Sequence, residues 1–258
     1  MRVNRRGLWV VAGLLAIAAT AVPGMAQNEV KEKSPIYVYV SQWDIPRAQW
    51  SAMDKADADD LGTYQKGMAD GAIIAFGNDI NLVHQPDQPT HDEWWVANSM
   101  AGLLNLLDQF YKSGSPSTPV LESATKHWDG IYVSRYYNWK PGTYKGVYSQ
   151  TSTYKLKPTA DSDAVDSLSK NLFGMVMEKM LAQGAIVEYD IDTEAIHTDP
   201  AGTIFVNYIA ANADGLDKVR QAVTQSTKTN PMIGPAINDM VDYQAHRDYL
   251  SRTNATLK

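Results

Sequence analysis

The sequence predicts an α+β fold built of two tandem β-α-β-β-α-β units, and three observations carry the prediction. The first is an internal repeat: Gly71-Ala72-Ile73 returns as Gly184-Ala185-Ile186, and at the same displacement of 113 residues Lys66, Ala69, Asp79, His84, Thr90, Ala97, Gly102 and Leu103 return as Lys179, Ala182, Asp192, His197, Thr203, Ala210, Gly215 and Leu216. These are 11 identities over the 45 ungapped positions 66–110, where average composition gives about 3 by chance. The second is the succession of hydrophobic periods, which passes from two to 3.6 and back in the same order in each repeat. The third is length: removal of an N-terminal leader of 26 residues leaves 232, and two units of 113 fill 226 of them.

In the first unit, placed at 34–138, Ile36-Tyr37-Val38-Tyr39-Val40-Ser41-Gln42-Trp43 alternates aliphatic and aromatic residues, which suits a strand covered on both faces. Asp44-Ile45-Pro46 opens a helix that runs to about Asp70, with a ragged stripe at Trp50, Met53, Leu61, Tyr64 and Met68 and with Gly62 and Gly67 as expected breaks. A strand follows from Ala72 to about Val83. Gln85-Pro86-Asp87-Gln88-Pro89-Thr90 is turn chemistry, and Glu93 to Ala97 returns as the next strand. Leu103, Leu106, Leu107 and Phe110 form one helical face that ends at Gly114, and Asp129 to Tyr137 closes the unit.

The second unit, 146–258, repeats the order. Gln150 to Leu156 reads as a strand, and Asp161 or Ser162 caps a helix with Val165, Leu168, Leu172, Met175, Val176 and Leu181 at spacings of three and four. Gly184 to His197 and Thr203 to Ala210 form a hairpin about Asp199-Pro200-Ala201-Gly202. Leu216, Val219 and Val223 mark a helix, and Met240 to about His246 the last strand. Residues 138–144 are the linker, short enough that the halves pack together.

Ahead of these units, Arg2, Arg5 and Arg6 precede an apolar run from Leu8 to Val22, and Pro23-Gly24-Met25-Ala26 offers a cleavage site. This is the pattern of a signal peptide at 1–26, too short to span a bilayer, and it implies a periplasmic or secreted protein. Arg5-Arg6 also carries the paired arginines of a twin-arginine signal, so the export route stays open. Loss of the leader moves the net charge from −6 to about −9, which argues against nucleic acid and anionic membranes as partners. The chain has no cysteine, so disulfides, thiolate metal sites and cysteine nucleophiles are excluded.

A β-α-β-β-α-β unit is the ferredoxin-like, split-βαβ arrangement, with one four-stranded sheet and helices on one face. Tyr, Trp and Ile occupy both parities of the strands, so the second face must be covered too, most simply by the other unit. On this topology, and on Tyr154-Lys155-Leu156-Lys157-Pro158 followed by an amphipathic helix, the chain resembles the dimeric α/β-barrel superfamily and its stress-responsive branch. It also resembles uncharacterised exported bacterial proteins. The resemblance implies two units packed sheet to sheet as a monomeric pseudo-dimer. That superfamily holds cofactor-independent monooxygenases, dehydratases and haem enzymes, so the expected function is either the binding of a small apolar or aromatic molecule in a barrel pocket or an enzyme of monooxygenase or dehydratase type; a structural or protein-interaction role is the third class. No motif names a cofactor: a phosphate-cradling glycine loop, a Gly-x-Ser-x-Gly elbow, His-Glu-x-x-His and a haem-attachment cysteine are all absent.

Candidate chemistry rests on a few residues. His84 and His197 occupy equivalent positions and read either as a general base or metal ligand in each half, with His91 or Asp87 across the hairpin from His84, or as hairpin residues that hydrogen-bond the adjacent turn and fix register. Ile204 in the place of His91 denies the second half the same metal site. Asp79 and Asp192 also match, and either meet an arginine or face water. Glu188, Asp190, Asp192 and Glu194 alternate on one face, which reads as an exposed strand face before it reads as a cation site. From His127 to Tyr137 the chain is rich in polar-tipped aromatics, and six Trp and fourteen Tyr against four Phe outside the leader extend that bias. Trp95, Trp128, Tyr132, Arg135 and Tyr136 are therefore the expected ligand-binding residues, with Tyr136 or Arg135 as oxyanion partner in an enzyme. The same rings would equally fill the seam between the halves. By the repeat displacement, Val241 and Ala245 replace Trp128 and Tyr132, so the first half is expected to hold the working pocket.

Overall fold

The computed structural model describes residues 30–198, 201–230 and 233–258; the leader and the centre of the 199–202 turn lie outside the described residues. The first half runs β1 (Ile36–Asp44), α1 (Trp50–Ala69), β2 (Ala75–Asn81), β3 (His91–Ala97), α2 (Met100–Ser113), α3 (Pro119–Glu122) and β4 (Lys126–Trp139). The second runs β5 (Gly142–Leu156), α4 (Ala164–Leu168), α5 (Gly174–Ala182), β6 (Ile186–Glu194), β7 (Thr203–Ala210), α6 (Ala213–Thr229), α7 (Ile233–Met240) and β8 (Val241–Leu257). The element order matches the reading of the sequence, with α3 and α7 added. Both halves place their last strand beside their first, in the order β4-β1-β3-β2 and β8-β5-β7-β6.

The eight strands form one closed antiparallel barrel, β1-β3-β2-β8-β5-β7-β6-β4. The halves therefore face each other across a lumen and are also joined edge to edge. β2 pairs with β8, with Asp79 opposite Thr253, and β4 pairs with β6, with Ser134 opposite Asp192. Closure depends on the length of β4 and β8. The first part of β4 pairs with β1 while its second part, Tyr132 to Trp139, crosses to β6; β8 pairs with β5 along its length and gives residues 251–257 to β2. No unpaired sheet edge is left for aggregation.

Helices cover the outer face of the wall. α1 and α2 bury Tyr64, Leu103, Leu106 and Phe110 against Tyr39, Phe76 and Trp95 of the first half, whereas α4, α5 and α6 bury Leu168, Met177, Met180 and Val219 against Tyr189, Ile204 and Val206 of the second. Each fully buried ring or aliphatic side chain contributes roughly 1.5–3 kcal/mol. The helix ends follow their sequences: Ser99 Oγ accepts from Gly102 N at 3.1 Å to start α2, and Gly114 ends it in the left-handed conformation at φ 81°. Asn212 caps α6 in the same way, accepting from Gly215 N at 3.0 Å.

Four expectations are corrected. α1 passes through Gly62 and Gly67 unbroken, because Gly67 lies tight against Leu106 and Ile73, where a larger residue would crowd. The linker shrinks to Lys140-Pro141, since β4 and β5 extend into it. Residue 240 belongs to α7, and the last strand runs on to Leu257. Finally, the equivalence of Val241 and Ala245 to Trp128 and Tyr132 does not hold. Val38 of β1 faces Tyr132, whereas its counterpart Thr151 of β5 faces Tyr249, because a bulge in β8 between Asp242 and Arg247 shifts the register.

Candidate functional site

Successive side chains of a strand point to opposite faces, so each strand sends alternate residues into the lumen. They enclose a cavity of about 430 Å³, within the usual range for small-molecule sites. At one end Ile36, Val38, Ala75, Val96, Ile209 and Leu257 form an aliphatic plug. The other end opens beside the β2–β3 turn at Asp87-Gln88-Pro89, with Trp128 and Thr203 across from it.

Two glycines make room for rings in the wall. A Cβ on Gly77 would stand 2.4 Å from the Trp94 indole, and one on Gly130 would stand 2.3 Å from the Tyr132 hydroxyl. Both positions thus hold a close approach that any side chain would block. Tyr132 meets Phe205 edge to face at 4.8 Å between centroids. Tyr249 lines the same space, so both halves contribute a tyrosine at the register-equivalent position.

The middle of the lumen is acidic. Asp79, Asp92, Glu188, Asp190 and Asp192 line it, and no lysine, arginine or histidine is among the described lining residues. Asp79 and Asp92 stand directly opposite each other on β2 and β3, a placement that is unfavourable when both are charged. Burial is the largest cause of every shift. It pushes Asp79 up to about 7, against donors from Thr253 and Trp94. It pushes Asp190 up to about 6, against Asn207. Asp192 is held well above the carboxylate range by burial and by the charge of Asp190, Asp92 by burial and Asp79, and Glu188 by burial and the three charges of Asp190, Asp192 and Asp79. Amide donors engage only part of the set: Asn207 donates to Asp192 Oδ2 at 3.0 Å, and Gln42 to Asp92 Oδ1 at 3.3 Å. Oδ1 of Asp79, of Asp190 and of Asp192 is buried with no hydrogen-bond partner. The expectation of an exposed acidic face on β6 is thereby overturned, since Glu188, Asp190, Asp192 and Glu194 are all at most 9% exposed. The expectation that Asp79 and Asp192 face water or meet an arginine fails for the same reason: barrel closure turns that face inward.

Of the other expected site residues, Trp128 and Tyr132 line the lumen. Trp95 points outward, stacked on Tyr39 at 4.3 Å, with its indole N–H donating to Leu103 O at 3.2 Å. Tyr136 is buried beneath the second-half helices and donates to Asp166 at 3.0 Å, whereas Arg135 is exposed and pairs with Glu32 at 3.2 Å. His84 and His197 are exposed and lie outside the lumen lining. Trp50 stands between His84 and His91 with edge contacts of 5.2 and 5.1 Å, and burial pushes His91 down to about 4. Asp87 pairs with Lys126. Among the described residues no group of three His, Cys, Asp or Glu could hold a metal ion.

A second polar cluster lies on the outer face, where Ser41 Oγ donates to Asp129 Oδ1 at 2.7 Å and contacts His127 Nε2 at 2.9 Å. His127 Nε2 is also the atom nearest Asp129, at 3.2 Å. One ring nitrogen thus serves both neighbours, which is not the relay that nucleophile activation requires.

No protein-family model and no curated protein matches the sequence. Solved structures do match. A candidate monooxygenase from Fusobacterium nucleatum subsp. nucleatum aligns with a TM-score of 0.60 at 10% identity, over 88% of this chain and 95% of that one. A candidate monooxygenase from Lactobacillus acidophilus aligns at 0.56 and 12% identity, over 87% and 97%, and an anthrone oxidase-like protein at 0.53 and 8%, over 87% and 94%. The fold is that of the dimeric α/β barrels. At these identities the likeness extends to the fold alone; the lumen has to be read from its own residues.

Proposed function

We propose that this protein binds a small organic molecule with a flat apolar body inside the barrel lumen. The observation that carries the reading is the cavity itself, plugged with aliphatic side chains at one end, open at the other and walled by Trp94, Trp128, Tyr132, Phe205 and Tyr249. Titration of the full chain with 2-naphthol, followed by tryptophan fluorescence, tests it. Saturable binding that weakens at least about tenfold, roughly 1.4 kcal/mol, in both Trp94→Ala and Trp128→Ala is expected. Absence of binding, or binding indifferent to both changes, overturns it.

A second reading is an enzyme of monooxygenase or dehydratase type, and one observation favours it: burial in the lumen pushes Asp79 up to about 7 and Asp190 up to about 6, toward the range that suits a general base. The names carried by the similar structures point the same way. In that reading the proton acceptor is Asp190 or Asp79 instead of His84 or His197, which lie away from the lumen. Turnover abolished by Asp190→Asn, with the bound molecule retained, separates this reading from simple binding.

We further read the chain as a fused duplication, exported after loss of residues 1–26 and working as a monomeric pseudo-dimer. The 113-residue displacement and the common strand order support the first part, and the arginine-led apolar leader supports the second. The N-terminal residue of the protein recovered from its native compartment checks the leader.

A further inference from the structure

Lumen carboxylates present a problem that the chain does not solve by itself. An isolated buried carboxylate costs several kcal/mol unless it is neutralised, paired or hydrogen-bonded. Five of them share one cavity, and the described lining supplies no positive side chain to pair with. Asn207 and Gln42 are tied up on Asp192 Oδ2 and Asp92 Oδ1, and Oδ1 of Asp79, Asp190 and Asp192 has no hydrogen-bond partner. These three residues are at most 9% exposed and all line the cavity, so whatever occupies it meets side chains whose carboxyls the protein leaves partly unpartnered.

The arrangement also indicates what kind of positive charge fits. A metal ion needs several ligands converging on one point, and among the described residues no such group exists. The carboxyls instead lie on opposite walls, Asp79 on β2 and Asp190 with Asp192 on β6, close enough for Asp79 to act on Glu188 across the space. Aromatic side chains line the same space, with Phe205 opposite Asp192 in the strand register and Trp128 and Tyr132 on the neighbouring wall. Carboxylates beside ring faces suit an ammonium group attached to an apolar body, because the rings attract the cation as well as covering its carbon skeleton. An ammonium of that kind enters with its own proton donors, which the bare oxygens lack.

We propose that the lumen selects an organic amine, with its protonated nitrogen held between Asp190 and Asp192 of β6 and Asp79 of β2 and its carbon body against Trp128, Tyr132 and Phe205. The proposal rests on the lumen-binding reading and names the class of ligand. It also accounts for a cluster that otherwise only destabilises the barrel.

The test compares probes of one shape and different charge. The full chain at pH 8 is titrated by calorimetry with benzylamine, benzyl alcohol, benzoate, 1,4-diaminobutane and calcium chloride. Benzylamine is expected to bind at least tenfold tighter than benzyl alcohol, with 1,4-diaminobutane detectable and benzoate undetectable. In Asp190→Asn/Asp192→Asn the benzylamine affinity should fall to that of benzyl alcohol, which itself stays within threefold. Should the double variant fail to fold, the single Asp79→Asn variant is read for a drop in the amine preference alone. Equal affinity for amine and alcohol, an amine preference that survives all three changes, or tight calcium binding at these residues overturns the proposal. Failure of both amines overturns it too. Benzyl alcohol then decides whether the lumen reading falls with it: binding lost in Trp128→Ala leaves that reading standing, and no binding removes both.

Discussion

The barrel wall carries buried carboxyl clusters on both faces, and they are built differently. On the outer face Glu93 lies under α1, accepts from the Tyr64 hydroxyl at 2.8 Å and is within hydrogen-bond reach of Asp57, which in turn accepts from Asn78. Burial, with the Asp57 charge next, pushes the Glu93 carboxyl well above the usual carboxylate range. The cluster is sealed beneath the helix, although Asp57 Oδ1 within it is also buried with no hydrogen-bond partner. On the lumen face Asp79, Asp190 and Asp192 each keep an unpartnered oxygen too, but there the side chains line a cavity. A protein gains nothing in stability from the second arrangement, which is the mark of a group kept for a ligand.

The sharpest way to break that contrast is to remove one carboxyl from each face. Glu93→Ala leaves the Tyr64 hydroxyl unpaired and Asp57 with Asn78 alone in a sealed layer, and is expected to cost about 3 kcal/mol in urea denaturation. Asp192→Asn removes a buried charge while preserving shape, and is expected to stabilise the ligand-free protein at pH 8 by about 1–2 kcal/mol. If both changes destabilise alike, the two clusters are structural equivalents.

pH should distinguish them as well. Asp79 holds its proton up to about 7 in the folded chain against 3.8 unfolded, and Asp190 up to about 6. Between the unfolded and folded values the folded state carries more protons than the unfolded one, so stability is greatest at acid pH and falls as pH rises from about 4 to about 7. At about 1.36 kcal/mol per unit the fall from these two groups amounts to several kcal/mol. Asp79→Asn/Asp190→Asn should flatten the profile measured by thermal melts, and a profile left unchanged would assign the pH dependence elsewhere.

Much of this contrast was hidden in the sequence for a definable reason. The order of elements along the chain and the end of α2 at Gly114 followed from local pattern, because period and turn chemistry are local. The acidic alternation of Glu188, Asp190, Asp192 and Glu194 is what a solvent-facing strand also shows, and only closure of the barrel reverses its meaning. One signal was available: Val187, Tyr189 and Ile191 on the other parity suit a helix-covered face, and the inner face had to meet the opposite half, so together they place the acids inside. The bulge in β8 carries no such signal, and the repeat displacement could not reveal that Tyr249, rather than Ala245, stands where Tyr132 does. Trp128 and Tyr132 were legible as polar-tipped rings on one face of β4. Trp95 was misplaced by one residue, since Trp94 takes the inward parity.

A smaller effect separates lumen rings from core. Trp128→Ala should weaken 2-naphthol binding about tenfold with under about 1 kcal/mol of stability lost, whereas Val241→Ala, at 1% exposure in the second-half core, should cost about 1–2 kcal/mol and leave binding unchanged. The smallest effect is expected at His84→Asn and His197→Asn, both within about twofold, or 0.4 kcal/mol, of the parent in binding and stability. A tenfold loss at either would restore the paired histidines to the site.

The central claim is that the lumen carboxyls are unpaired until a cation arrives, and carbon-detected NMR titration of the aspartate carboxyl groups reads it directly. Free protein should show Asp79 with a midpoint near 7 and Asp190 near 6, and saturating benzylamine should drive both down toward the ordinary carboxylate range. Midpoints already near 4 in the free protein, or midpoints that benzylamine does not move, would contradict the account.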